Sequence, residues 1–172
     1  RGMFYTSGQS LSIGNVGTFT DGYAIQKYKN IKSTGGQGSD ASGTFVDIDF
    51  PLFRLGDAYL MYAELAARGQ GSTSQAATYV NTLRTRAGAS ASIVAGDITL
   101  DFVLDERARE LYWEGHRRQD LIRFGKFTGS AYNWQWKGGV QAGTSIDAKY
   151  NVFPIPSQAI GSNPTLQQNS GY

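Results

Sequence analysis

The sequence predicts a mainly α fold, with helical hairpins in its middle and long loops and a few short strands on either side. Two observations predict it. Apolar residues recur at helical spacing in four runs between residues 51 and 128. Most of the 22 glycines lie outside those runs, and glycine at about 13% of the chain, against a usual 7% or so, implies long ordered loops. With 172 residues and 40% apolar content, the chain is long enough for one domain with a core.

Residues 1–50 are rich in Gly, Ser and Thr, with short β-type runs such as Tyr23-Ala24-Ile25-Gln26-Lys27-Tyr28 between turn formers. They read as loops with a few short strands. The stretch Gly35 to Gly43 has four Gly and no large apolar residue, which predicts an exposed, mobile loop.

From Pro51 the period becomes helical, with Leu52, Leu55, Tyr59, Tyr62 and Ala66 in register, Asp49 as a cap and Gly69 past the end. Ala76, Val80, Leu83 and Ala87 repeat the pattern after Ser72-Thr73-Ser74 and stop at Gly88. A third helix is predicted from a Thr99 cap through Leu104, Ala108 and Leu111 to Gly115, and a shorter fourth over Gln119 to Phe124. The result is two hairpins over residues 51–128, too few for a solenoid. Residues 129–172 return to loop and short-strand character, with Pro154, Pro156 and Pro164 imposing an extended path.

Composition excludes several functions. A formal charge of +2, with Lys and Arg scattered among acids, argues against a nucleic-acid partner. No run approaches the roughly 18 apolar residues of a membrane-spanning helix. The absence of cysteine removes disulfides, Cys-ligated zinc and thiol catalysis. No phosphate-cradling loop, nucleophile elbow or metal-ligand spacing is present, so no catalytic residue, metal site or cofactor is expected.

The run Asp105 to Gly125 packs 10 of the 30 charged residues into 21 positions, and its basic residues are all Arg. Glu106, Glu110 and Glu114 stack at i, i+4 and i+8, and such like charges repel unless neutralised. A glycosidase pair is one reading of them. The favoured reading is a docking network, with Arg107, Arg109, Arg117, Arg118 and Arg123 supplying the neutralising charge. Arg117 has Asp120 or Glu114 as candidate partners, Asp120 precedes Arg123 by three residues, and the lone His116 reads as a cap or surface residue.

The ligand-binding candidates are aromatic. Trp134 and Trp136, two apart in Tyr132-Asn133-Trp134-Gln135-Trp136-Lys137, would share one face of a strand. Flat rings beside amide and Lys donors suit the apolar faces and hydroxyls of sugars. Tyr132 joins them, and Tyr5 is a more distant candidate of the same sort.

An ordered series of motifs resembles the C-terminal part of the SusD/RagB family. It comprises Tyr28-Lys29, the segment Phe53-Arg54-Leu55-Gly56-Asp57-Ala58-Tyr59-Leu60-Met61-Tyr62-Ala63-Glu64, and the element Asn81, Leu83, Arg84, Arg86, Ala87, Gly88. Then follow Glu106-Arg107, Glu110-Leu111, Glu114-Gly115, Arg117, Asp120-Leu121, Arg123 and Gly125, and finally the ending Asn163-Pro164 to Tyr172. Gly56 and Asp57 stand where the family pattern has Ala and Glu, Phe124 where Trp is frequent, and Ser170 where Pro is frequent.

The resemblance implies tetratricopeptide-like hairpins within the C-terminal part of a single SusD-like domain spanning residues 1–172. It also implies a surface-exposed outer-membrane lipoprotein that binds a glycan without cleaving it and delivers it to a SusC-like TonB-dependent transporter. Membrane attachment would be through a lipid anchor outside this segment, Tyr172 would be the natural C-terminus, and the start at Arg1 fits a piece of a longer precursor. A peptide ligand, a helical-repeat interaction module and a glycosidase using Glu106 and Glu110 are the alternatives.

Overall fold

The computed structural model describes residues 4–32, 34–40, 42 and 44–172. The chain forms two compact units, one from its start to Ser12 together with Thr18–Arg117, the other from Ile13–Gly17 and Arg118–Tyr172. Positions 41 and 43 of the Gly35 to Gly43 stretch, and the N-terminal Arg1, lie outside the described residues.

In the first unit, β1 (Phe4–Tyr5) pairs antiparallel with β2 (Ala24–Ile25), Phe4 opposite Ile25. As expected, the rest of the first fifty residues is mostly loop. The Gly35 to Gly43 stretch is largely exposed where described, and side chains hold it in shape. The Asp40 carboxylate accepts from the amides of Ser42, Thr44 and Phe45, while Asp47 accepts from the Ser39 amide and hydroxyl.

Helix α1 (Leu55–Ala67) begins four residues later than the apolar spacing predicts. Arg54 is the reason: it caps α1 with an extended backbone, φ −150° and ψ 156°, and so keeps its side chain free to reach distant carboxylates. The buried face of α1 is Gly56, Asp57, Leu60, Ala63, Glu64 and Ala66, and Leu52 and Leu55 are exposed. Helix α2 (Thr73–Arg86) forms as its pattern predicts. The Ser72 hydroxyl accepts the Gln75 amide at 3.2 Å, satisfying one orphan donor of the first turn, and Gly88 leaves the helix at φ +70°, where a side chain would be strained.

Helix α3 (Leu100–Leu111) starts at the expected cap, Thr99, whose hydroxyl accepts the Phe102 amide at 3.2 Å. It stops at Leu111, short of Gly115. Tyr112 turns extended and Trp113 takes a left-handed φ of 61°, which turns the Tyr112 carbonyl toward the Lys27 ammonium, 2.9 Å away. Helix α1 packs against both α2 and α3, and Leu60, Ala63, Ala76, Val80, Val103 and Leu104 form the buried apolar centre.

Helix α4 (Arg117–Arg123) begins at the last residue of the first unit and buries Asp120 and Leu121. The remainder of the second unit is loop and short 3₁₀ turns, with one isolated bridge between Gly129 and Ile146 in place of strands. Helix α5 (Ser157–Ser162) follows Pro156 directly. The extended path expected there therefore ends at Pro156, because a proline at the entrance of a helix sacrifices only an amide that would have no helical acceptor. The tail is fastened by amide side chains: Gln168 bonds both the N–H and C=O of Ile155, and Asn169 donates to the Phe153 carbonyl.

Candidate functional site

The charged run is a buried scaffold network whose countercharge comes largely from outside the run. Glu106 and Glu110 are 0% exposed. Arg54 Nη1 donates to Glu110 Oε1 at 2.6 Å, Nη2 donates to the Glu110 carbonyl at 2.8 Å, and Nε donates to Glu114 Oε2 at 2.6 Å. Arg86 also binds Glu110, and Lys27 binds Glu114. Arg84 and Arg109 share Glu106 Oε2, at 3.3 and 2.9 Å.

Of the run's own five arginines, Arg109 binds Glu106 as expected, and Arg54, Arg84, Arg86 and Lys27 add countercharge from outside the run. Arg107 lies 2.9 Å from Asp57 Oδ1, with both side chains buried. Arg117 donates to the Leu104 carbonyl, and Arg118 to the Tyr150 carbonyl. The Arg118 guanidinium also lies 4.1 Å from the Phe153 ring centre, a cation–π distance. Arg123 pairs with Asp120 at 2.8 Å, as the spacing predicts. Glu114 stands beyond the end of α3, so the three carboxylates share a network and only the first two share a helix.

Burial pushes Glu110 and Glu114 upward, but the bonds from Arg54 to both, with Arg86 on Glu110 and Lys27 on Glu114, outweigh it and leave both below the usual glutamate range. Burial likewise opposes the charge on Arg54, and Glu114 and Glu110 reverse that effect and raise it. A general acid for glycoside cleavage needs a carboxyl held protonated. These two are held ionised.

Gly56 and Asp57 have a structural account in the same network. A Cβ at position 56 would overlap Arg54 Nη1 and lie 3.1 Å from Glu110 Oε1. Glycine leaves space for the guanidinium. Asp57 offers its carboxylate to the buried Arg107.

The aromatic candidates fall in both units. Tyr132, Trp134 and Trp136 occupy one loop of the second unit, all half-buried, and the tryptophans lie on a turn in place of the expected strand. The Lys137 amide donates to the Trp134 carbonyl, and the Gly139 amide to the Trp136 carbonyl. Trp136 and Gly138 both adopt φ +66°. The turn closes around Lys137, which is 1% exposed and donates from Nζ to the carbonyls of Gly129 (2.7 Å) and Tyr132 (2.6 Å).

The same ammonium lies 4.7 Å from the Trp134 ring centre. Phe127 stacks near Trp134 at 6.3 Å, and Tyr132 is tilted against it at 6.0 Å. Trp136 donates its indole N–H to the Ile13 carbonyl at 2.9 Å, and Gln135 Oε1 accepts from the Ile13 amide. Lys137 and Gln135 are therefore fixing the loop, whereas the sequence pattern presents them as ligand donors. Tyr5 stands on β1 of the first unit, about half exposed, beside Phe4, which stacks on Tyr112 at 5.5 Å.

A feature without a sequence signal is a surface cleft of about 350 Å³ in the first unit, lined by Asn30, Ile31, Gln37, Asp40 and Ser42 among others. Hydrogen bonds, the Phe45 amide's first and then those of Ser42, hold Asp40 down to about 2. Its carboxylate is thereby committed to the loop backbone. Among the described residues no group of His, Cys, Asp and Glu is arranged to hold a metal, and no helix is long and apolar enough to cross a membrane.

The first unit thus holds three packed helices tied by a buried arginine–glutamate network, and the second holds an aromatic loop closed around Lys137. The chain belongs to the SusD family, whose profile matches residues 4–172. It is 45% identical over 157 residues to the starch-binding protein SusD of Bacteroides thetaiotaomicron, a match covering 91% of this chain and 27% of that protein. A SusD-like protein of Formosa agariphila is 35% identical over 130 residues, 70% of this chain and 24% of that one. The chain thus spans about a quarter of the length of these curated relatives.

Solved structures agree. A SusD superfamily protein from Bacteroides vulgatus superposes with a TM-score of 0.62 at 32% identity, covering 78% of this chain and 30% of that one. Surface glycan-binding protein A from Bacteroides uniformis gives 0.56 at 33% identity, over 70% and 27%.

Proposed function

We propose that the protein binds a glycan at the outer-membrane surface without cleaving it and delivers it to a SusC-like TonB-dependent transporter. The observation that carries this reading is the 45% identity, over 91% of the chain, to a protein named for starch binding. The likeness to a surface glycan-binding protein supports it further. The electrostatics favour binding over cleavage at one member of the Glu106 and Glu110 pair, since Glu110 is bonded to Arg54 and Arg86 and held below the usual glutamate range, which suits it poorly to protonate a leaving group. Attachment to the membrane is through a lipid anchor outside these residues, in keeping with the family.

Within the segment, Trp134, Trp136, Tyr132 and Tyr5 are the proposed sugar contacts. The half-buried rings of the Lys137 loop are held in fixed orientation, so stacking a sugar face on them costs little ordering entropy. Calorimetric titration with starch-type oligosaccharides tests the reading. Saturable binding with no new reducing ends is the expected result. Release of reducing ends above a protein-free control would overturn the non-catalytic reading, and absence of binding to any of a panel of glycans would overturn the glycan reading. Binding of peptides in its place would show the other ligand class.

A further inference from the structure

The second unit is basic, and part of that charge has no acid to meet. Residues 13–17 and 118–172 contain five Lys and Arg against two Asp and no Glu. Both acids are engaged: Asp120 pairs with Arg123, and the Asp147 carboxylate accepts the Lys149 amide. Arg118 and Lys149 spend their hydrogen bonds, among the described residues, on the backbone carbonyls of Tyr150 and Gly171. Arg54, Arg84, Arg86, Arg109 and Arg123 each bind a carboxylate of the protein. Arg118 does not.

The surroundings of Arg118 are aromatic. Its half-buried guanidinium lies 4.1 Å from the ring centre of Phe153 and 5.1 Å from that of Phe127, and Nη2 donates to the Tyr150 carbonyl at 2.6 Å. That single bond leaves one whole edge of the planar fork, two N–H groups side by side, without an acceptor in the protein. Phe153 is 70% exposed, which puts an apolar ring at the surface next to the open edge. Phe127 also stacks near Trp134, at 6.3 Å, so Arg118 borders the aromatic loop. Lys149 adds charge close by, its ammonium 5.4 Å from the Tyr150 ring centre and 5.2 Å from that of Tyr172.

We propose that Arg118 and Phe153 form a subsite for an acidic sugar, with the open edge of the guanidinium binding the carboxylate of a uronate residue and the Phe153 ring packing on its apolar face. The proposal rests on the glycan reading and names the class of glycan. A carboxylate matches the fork with two parallel, charge-assisted bonds, whereas a sugar hydroxyl can satisfy it only singly. The ring supplies the apolar contact that a sugar face seeks, and the neighbouring ammonium favours a ligand with more than one acidic residue.

Calorimetric titration of the protein with a starch-type oligosaccharide and with its C6-oxidised form, in which carboxylates replace the CH2OH groups, isolates the charge. The oxidised form should bind about tenfold more tightly at low ionic strength, the size of one charge-assisted contact, and added salt should shrink the preference. Arg118→Gln should abolish the preference with the melting temperature within a few degrees of the parent, and Arg118→Lys should keep only part of it. Methyl esterification of the oxidised ligand tests the same contact without a variant, and should return its affinity to that of the neutral oligosaccharide. Equal affinity for the neutral and oxidised forms would overturn the subsite and leave the glycan reading standing, whereas binding of neither would overturn both. A preference unchanged in Arg118→Gln, or kept by the methyl ester, would also overturn it. Displacement of the oxidised ligand by an equal concentration of oligoglutamate would assign the site to acidic peptides in its place.

Discussion

Arg54 and Glu110 stand 56 residues apart in sequence and meet twice, Nη1 at 2.6 Å from the carboxylate and Nη2 at 2.8 Å from the backbone carbonyl. The same guanidinium holds Glu114 through Nε and Nη2, at 2.6 and 2.8 Å. One side chain thus joins the residue before α1 to the last turn of α3 and to the segment beyond it.

Removal of Arg54 leaves two buried carboxylates short of their principal cation. Arg54→Ala is expected to cost about 3–5 kcal/mol, the usual penalty for breaking one side of a buried pair. Arg54→Lys should recover only part of this, because an ammonium lacks the planar fork that serves two carboxylates and a carbonyl at once. Urea denaturation of both variants checks the order; an Arg54→Ala protein as stable as the parent would contradict the assignment.

Gly56→Ala tests the space beside that guanidinium. On an exposed helix the change would stabilise by about 1 kcal/mol through propensity. Here the new methyl displaces Arg54 Nη1 from Glu110, so a net loss of about 1–2 kcal/mol is expected, in the range of overpacking. Thermal melting decides the sign.

Acid should unlock the network. The folded-state values of Glu110 and Glu114 lie below the ordinary glutamate value, so their contribution is complete above the unfolded-state pKa, roughly 4.3. It is lost as pH falls through the lower folded values. Melting temperature should be flat in these two groups from neutrality down to about pH 5 and drop below about pH 4. In Glu110→Gln and Glu114→Gln variants, already destabilised at neutral pH, the acid-induced drop should be shallower.

For the aromatic loop, the Trp134→Ala, Trp136→Ala double variant should weaken binding of a starch-type oligosaccharide at least tenfold, or about 1.4 kcal/mol. Calorimetry measures it, with circular dichroism confirming the helices. Unchanged affinity would remove these two residues from the proposed contacts. Lys137→Met is a companion test: it leaves the carbonyls of Gly129 and Tyr132 without their donor, at about 1–3 kcal/mol for a stranded buried group.

Local signals carried much of the fold. Thr99 is a side-chain cap as read, the Ser72 cap falls in the Ser-Thr-Ser run that the pattern follows, and Gly69 and Gly88 leave their helices at positive φ; each of these depends on neighbours within a turn. Arg54 was illegible as a cap because its backbone is set by partners 56 and 60 residues away. The same limit applies to Glu106 and Glu110, whose density announces a network while Arg84 and Arg86 on α2 supply much of the countercharge. In the candidate site, a two-residue spacing of tryptophans is the same string on a strand and in a turn. Gly138-Gly139 and a lysine able to gather two carbonyls decide for the turn, and only the folded chain shows that the Trp136 N–H is already engaged.

Ile13 has both its backbone groups held from across the sequence, its amide by Gln135 and its carbonyl by Trp136, separations of 122 and 123 residues. Contacts of such span form late, since the loop they close must first be drawn together. The second unit is therefore completed by residues more than a hundred positions ahead of the turn they hold, and the segment 13–17 is its closing stitch. A nick or insertion between Ser12 and Thr18 would act on the opposite end of the sequence, loosening the turn around Lys137 while leaving α1, α2 and α3 in place.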